Sequence, residues 1–280
     1  SPKDWVLSGP HFYLANPFNK TPRAICSEKG HYDQIDLEAI TDDYLPRTNY
    51  RPMLDRSEYE RRIPFVGWRA EALENCNGFV PENQIASPQY KADPIPVKPI
   101  RQIKITDCYC VVNREMVGPS SERTLIMTLI PPGVAWMKTS VGHAFKNQRD
   151  MMGFLAFCQS VPVDFRVKSS GVSHVNISLV DQLPVPRSFC DALTARIAVL
   201  NCITVHFDEL WRGIYSRNFN MLTWSQPSNP RLSHGFFAEL TPRWQRCCAL
   251  RNDYARRMAQ VEIDVMVAQE LRLSLEELIL

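Results

Sequence analysis

The sequence predicts an α+β chain: a mixed or antiparallel sheet region followed by a long antiparallel helical pair. Three observations carry this. The apolar run Thr124-Leu-Ile-Met-Thr-Leu-Ile130 is stopped by Pro131-Pro132-Gly133, as a buried strand would be. Alternation through Ile103, Ile105, Cys108, Cys110 and Val112 marks further sheet. Two long stretches beyond residue 187 each carry one apolar stripe at spacings of three and four.

Residues 1–100 read as irregular. Pro17, Pro22, Pro46, Pro52, Pro64, Pro81, Pro88, Pro94, Pro96 and Pro99 deny donors and fix φ too often for long elements. Short helices fit Asp36–Ile40 and Ser57–Arg62. The sheet core is expected over 100–187. Within it the strand at 124–130 is followed by a loop at 136–147, a helix at Met151–Ser160 and a basic extended piece, Phe165-Arg-Val-Lys168. Residues 169–174 then lead into a short strand with Val175, Ile177 and Leu179 inward, His174 and Asn176 sharing the other face.

The remainder, 188–280, reads as helical support. Ser188-x-x-Asp191 resembles a capping box and opens a helix striped by Phe189, Leu193, Ile197, Leu200, Thr204, Phe207 and Trp211, with Gly213 as its stop. Thr241-Pro242 starts the second, striped by Cys247, Leu250, Tyr254, Met258, Val261, Val265 and Ala268. Arg243, Arg246, Arg251, Arg256 and Arg257 crowd its first half, against the macrodipole, so they answer some external requirement. Pairing with Asp208 and Glu209 is one answer; DNA phosphate or a missing domain is another. Ser274-Leu-Glu-Glu277 is a further capping box, opening a helix that has barely begun at Leu280. With Ser-Pro-Lys-Asp-Trp at its start, the chain reads as an excised piece of a longer protein, truncated at its C-terminal end.

Composition bounds the function less sharply. The 280 residues are 45% hydrophobic and 22% charged, with a net charge of +2, which announces no polyanion partner by itself. No run approaches 18 apolar residues, so no membrane span is expected and a cytoplasmic chain is. The nine cysteines lack a secretory context, and Cys108-Tyr-Cys110 and Cys247-Cys248 lack structural-zinc spacing, so reduced thiols and no metal are expected.

Several polar groups are candidates for a nucleic-acid surface. Asn16, Asn19, Lys20 and Arg23 interleave with Phe12, Tyr13 and Phe18; amides and guanidinium groups read base edges and Lys holds phosphate. The same residues also suit an ordered loop capped by its Asn side chains. Arg47, Asn49 and Arg51 alternate in an extended segment and can share one face. Over 138–168, Lys138, Lys146, Arg149, Arg166 and Lys168 stand against Asp150 and Asp164, a local +3 that exceeds the chain's total. Ser173, His174 and Asn176 complete the set. Ser173 beside His174 invites a hydrolase reading, but no strand-turn-helix elbow surrounds the serine and no third partner is suggested. Asn16-Pro-Phe18 lacks one proline of an amino-methylating motif, and no Gly-rich cofactor loop precedes it.

Short pieces in order carry a resemblance: Gly9–Arg23, Tyr44-Leu-Pro-Arg-Thr-Asn-Tyr50, Glu122-Arg-Thr124, Ser160-Val-Pro-Val-Asp-Phe165, Leu183-Pro-Val-Pro186 and Val261-Glu-Ile-Asp264. Together they resemble the C-terminal target-recognition regions of bacterial adenine-N6 DNA methyltransferases of restriction-modification and phage-defence systems, type IIG-like and BREX- or DISARM-like. The resemblance implies a non-catalytic fragment that binds double-stranded DNA and reads its sequence. It implies S-adenosylmethionine only in the absent methyltransferase domain of the same chain, and the other subunits of a defence system as further partners. The alternative is a protein-interaction module whose helical pair docks such a subunit.

Overall fold

A computed structural model describes residues 1–28, 30–67, 103–118, 121–186 and 188–279. Pro81, Pro88, Pro94, Pro96 and Pro99 lie outside the described residues. The chain mixes helices with small sheets. A three-stranded antiparallel sheet has β4 (Cys110–Arg114) between β5 (Met127–Ile130) and β7 (Ser140–Ala144). Two short pairs flank it: β1 (Val6–Leu7) runs parallel to β6 (Ala135–Trp136), and β2 (Lys20–Pro22) pairs antiparallel with β3 (Tyr32–Gln34). All four residues of β5 are buried, because helices cover the face that an alternating strand would leave wet.

The helices are α1 (Arg56–Arg62), α2 (Gln148–Cys158), α3 (Val161–Ser169), α4 (Ile177–Val180), α5 (Asp191–Asn201), α6 (Asp208–Ile214), α7 (Asp253–Glu270) and α8 (Leu275–Ile279). Local signals set several of them. Asp55 caps α1, Asn147 caps α2 and Asn252 caps α7 through side-chain oxygens. At α8 the capping box forms as expected: the Glu277 N–H donates to Ser274 Oγ (3.2 Å), and the Ser274 N–H to Glu277 Oε2 (2.7 Å).

Elsewhere tertiary packing overrides the sequence pattern. Residues 36–40 form turns, because Asp36 Oδ1 accepts the Glu38 N–H (2.9 Å) in place of a helical bond. Residues 105–107 are a short 3-10 turn, and strand begins only at Cys110. The expected loop at 136–147 contains β7, held by pairing with β4 and by the Trp136 indole lying over Gly142. Residues 165–168 are helical, within α3: Pro162 sits in its first turn, where a missing N–H costs nothing, and Val163 and Val167 point inward. The strand expected at 175–179 is replaced by α4, because Asn176 Oδ1 caps the Leu179 N–H (3.0 Å), leaving Ile177 exposed.

The first long helix is broken. It starts at Asp191, not Ser188, and stops at Asn201, whose Nδ2 bonds back to the Ile197 carbonyl (2.9 Å). The β-branched run Ile203-Thr204-Val205 then crosses to α6. The second begins at Asp253, so Arg243, Arg246 and Arg251 precede it; of the five arginines only Arg256 and Arg257 stand in its first half, behind Asp253 in the first turn. Its buried face is also rotated: Ala259, Ile263 and Val267 are inward, whereas Val261 and Val265 are exposed. Arg196 on α5 meets Glu262 on α7, and the Leu200 carbonyl meets Arg256, so these two helices run in opposite senses.

One hydrophobic cluster extends from Trp5 through the sheet and α2 to Val267. Buried polar groups fix its order. The Asp164 carboxylate accepts the Thr124 and Leu125 N–H groups (2.7 and 2.6 Å) at the approach to β5. Asp264 accepts the Val161 N–H and the Arg123 guanidinium (2.8 and 3.2 Å). Arg256 donates to the carbonyls of Ala15, Leu200 and Leu250 (2.7, 3.0 and 2.7 Å) and forms no ion pair among the described residues.

Two stability predictions follow from this packing. Arg256→Met leaves three buried carbonyls short of a donor and lowers unfolding free energy by about 3 kcal/mol or more in urea titration. Gly153→Ala, ordinarily favourable in a helix, places a Cβ 2.1 Å from the Phe189 ring and destabilises by about 1–3 kcal/mol instead. A midpoint at or above the parent's in either variant would contradict the packing described.

Candidate nucleic-acid interface

The β2–β3 hairpin is short, exposed and held from behind. Lys20 lies opposite Gln34, and the Asn19 N–H donates to the His11 carbonyl (2.7 Å). His11 is buried. Its Nδ1 accepts the Ser8 N–H (3.0 Å), so Nε2 carries the proton and donates to the Arg47 carbonyl (2.8 Å). Arg47 is anchored twice more, by its N–H to Thr21 Oγ1 and its Nε to the Pro22 carbonyl (both 3.0 Å). Asn49 Nδ2 donates to Tyr32 Oη (3.1 Å). The two segments singled out separately, 16–23 and 47–51, therefore meet along one hairpin.

Between this hairpin and the segment after β4 lies a cleft of about 730 Å³. Asn19, Lys20, Gln34, Tyr13, Tyr32 and Arg114 are among the side chains lining it, and no carboxylate is present among the described lining residues. Arg114 arrives from the end of β4, its Nη2 donating to the Phe12 carbonyl and its guanidinium lying over the Phe12 and Tyr13 rings, 5.4 and 5.7 Å from their centroids. Burial pulls its pKa below the usual guanidinium range, with Tyr13 opposing, and its Nε is buried without a partner among the described residues. Burial, helped by Glu122, pushes the Tyr13 phenol up, so it remains a donor.

The other candidates do not join this cleft. Asn16 Oδ1 accepts the Phe18 N–H (2.9 Å) and so caps its own turn, as the ordered-loop alternative has it. Arg23 pairs with Asp33 at 2.8 Å, and Arg51 is exposed nearby in sequence. Lys138 and Lys146 flank opposite ends of β7, while Arg166 and Lys168 project from α3 into solvent. Arg149 is held by Asp191 (2.9 Å) and, with Lys146, borders a second cleft of about 510 Å³ that also contains Asp107 and Glu209. The local +3 is thus spread over several surfaces. Ser173 Oγ lies 2.9 Å from His174 Nδ1, both exposed, and Asn176 serves as a helix cap. Residue 174 bridges to Met116, which brings Ser173 and His174 beside the cleft's lining.

Tyr13, Tyr32, Gln34 and Arg114 belong to the cleft yet were not among the predicted site residues. A cation closing an apolar strand was the available signal for Arg114; for Gln34 there was none. The eight described cysteines are unpaired, and no group of three or more His, Cys, Asp or Glu among the described residues is placed to hold a metal ion. No helix among them is long and apolar enough to cross a membrane. No protein-family model, curated protein or solved structure matches the chain.

Two histidines give the region a pH dependence. Burial pushes His11 below its usual value and His143, bonded to Asn113 Oδ1 (2.8 Å), down to about 4. Below about pH 6.5 the unfolded chain binds protons that the folded imidazoles refuse, so these groups make stability rise with pH between about 4 and 6.5 and level off above. The unfolding free energy from urea titration should be lower at pH 5 than at pH 7.5 by about 2 kcal/mol from His143, with His11 adding in the same direction. Equal values would mean that the imidazoles are not held neutral.

Proposed function

We propose that the chain is a DNA target-recognition fragment of a cytoplasmic, site-specific adenine-N6 DNA methyltransferase, itself non-catalytic. The observation that carries this reading is a cleft that gathers Asn19, Lys20, Gln34 and Arg114 without a carboxylate among its described lining residues. Cations of this kind neutralise phosphate, while amides present paired donors and acceptors to base edges. Arg47 and Asn49, both exposed, border the same hairpin, whereas Lys138, Lys146, Arg166 and Lys168 stand on other surfaces and Arg149 is held by Asp191, so these five do not carry the reading. S-adenosylmethionine and the methyl transfer belong to the methyltransferase domain outside this sequence, and the remaining partners are the subunits of a defence system.

A protein-interaction module is the second reading, favoured by a different observation. Phe165 on α3 and Val261 and Val265 on α7 are exposed apolar side chains, and α3 abuts α7 through the Val161–Asp264 bond. The two readings place the partner on different surfaces, which makes them separable.

Fluorescence anisotropy with random duplex DNA across a salt series tests the first. Affinity should fall on a log–log plot by about 0.9 per phosphate neutralised, and Lys20→Ala with Arg47→Ala should reduce that slope by about 2. A binding curve indifferent to salt, or a slope unchanged in the double variant, contradicts DNA recognition through this hairpin.

A further inference from the structure

We infer that the cleft between the β2–β3 hairpin and the segment after β4 takes one unpaired nucleotide, its phosphate against Lys20 and Arg114 and its base against the tyrosines. This deepens the proposed function by naming a ligand for the same cleft. It rests on that reading only in choosing a nucleotide among phosphate-bearing ligands.

Size and electrostatics point the same way. About 730 Å³ lies within the range of sites that enclose a small organic ligand, and it is far too small to admit a double helix. The lining has two cations and no carboxylate among its described residues, and Glu122, whose charge reaches Tyr13, is paired with Arg257 (2.5 Å), so the cleft favours an anion over a cation or a neutral sugar. Arg114 is poised for this: one nitrogen is committed to the Phe12 carbonyl, the guanidinium rests on aromatic faces, and the buried Nε keeps an unspent donor. That Nε is closed to solvent as it stands, so a phosphate oxygen in the cleft would meet it only after a turn of the guanidinium, which would replace a costly unpaired donor by a charge-assisted bond.

The rest of the lining suits a base. Tyr13 and Tyr32 offer ring surface, which stacks on any nucleobase. The Gln34 amide donates to Asn19 Oδ1 and the Asn19 amide to the Pro10 carbonyl, both at a long 3.4 Å, so either can turn toward ring nitrogens or exocyclic groups at small cost. A paired base inside a duplex cannot reach such a pocket, so the ligand is a free mononucleotide or an unpaired nucleotide of a strand.

Isothermal titration of the whole chain with deoxyadenosine monophosphate, deoxyadenosine, a short single-stranded oligonucleotide and a duplex tests this. The monophosphate should bind saturably and the nucleoside about tenfold more weakly or worse. Lys20→Ala and Gln34→Ala, both on the hairpin's solvent side, should each weaken the monophosphate by about tenfold while leaving the melting temperature unchanged. An oligonucleotide that binds more tightly than the monophosphate identifies a strand as the source; equal affinities identify a free nucleotide. If neither monophosphate nor single strand binds at millimolar concentration, or if both variants bind as the parent does, the inference is wrong. Salt-sensitive duplex binding in that case leaves the proposed function standing, whereas monophosphate binding without duplex binding overturns that function and keeps the pocket.

Discussion

The guanidinium of Arg256 sits in the interior and is solvated by three backbone carbonyls in place of water. Burial lowers its pKa to about 10, with Asp253 opposing, so it is still a cation at neutral pH, and no carboxylate among the described residues forms an ion pair with it. A charge in such a place persists only if protein dipoles replace its lost hydration. Those dipoles come from three distant segments: the turn at Ala15, the end of α5 at Leu200 and the approach to α7 at Leu250. Arg251 also donates to the carbonyls of Leu37 and Ile203 (2.8 and 2.5 Å) and Arg246 to those of Ile40 and Glu38 (2.8 and 2.7 Å), though here the Asp42 carboxylate pairs with both, at 3.8 and 2.8 Å. The proline-rich first segment cannot satisfy its carbonyls through helices or long strands, so arginines preceding and opening α7 satisfy them instead.

This constraint reaches the cleft. Ala15 is one of two described non-glycine residues with positive φ, at 52°, and the Arg256 bond to its carbonyl holds that left-handed conformation in place. The turn at 13–16 fixes where Tyr13 stands and where the chain enters β2, and hence where Asn19 and Lys20 face. From the opposite wall Arg114 reaches across to the Phe12 carbonyl, tying the sheet to the same turn. His11, neutral and bonded through both ring nitrogens, fixes the Arg47 backbone carbonyl beside the hairpin. The flexible-looking side chains of the site therefore stand on a backbone with little freedom.

Where information was local, the sequence was readable. The strand ending at Pro131, the helices around 57–62 and 151–158, and the box at Ser274–Glu277 are each set by neighbours within a few residues. Where partners were distant, it was not. Nothing in Ser140-Val-Gly-His-Ala144 announces a strand, because its pairing with β4 and the indole over Gly142 supply the reason. The break after Asn201 and the late start of α7 depend on carbonyls being claimed by Arg251 and Arg256. For the site, residue types along 16–23 and 47–51 were legible, as was the alternative role of Asn16 as a turn cap. Their convergence on one hairpin, and the arrival of Arg114 from the sheet, came only from tertiary structure. The cations at 138–168 show the converse: close in sequence, they are carried by β7, α2 and α3 onto different surfaces.

Some of the short pieces that carry the resemblance also meet in space: Arg123 with Asp264, and the Thr124 N–H with Asp164. These contacts order the core rather than any ligand, and the functional claim stands on the cleft. Hydrogen–deuterium exchange with and without duplex DNA tests that claim most directly. Slowed exchange confined to residues 9–34, 47–49 and 110–118, with α7 unchanged, is the expected footprint. Protection limited to the exposed faces of α3 and α7, with the hairpin unaffected, would contradict it and place the partner on the apolar surface instead.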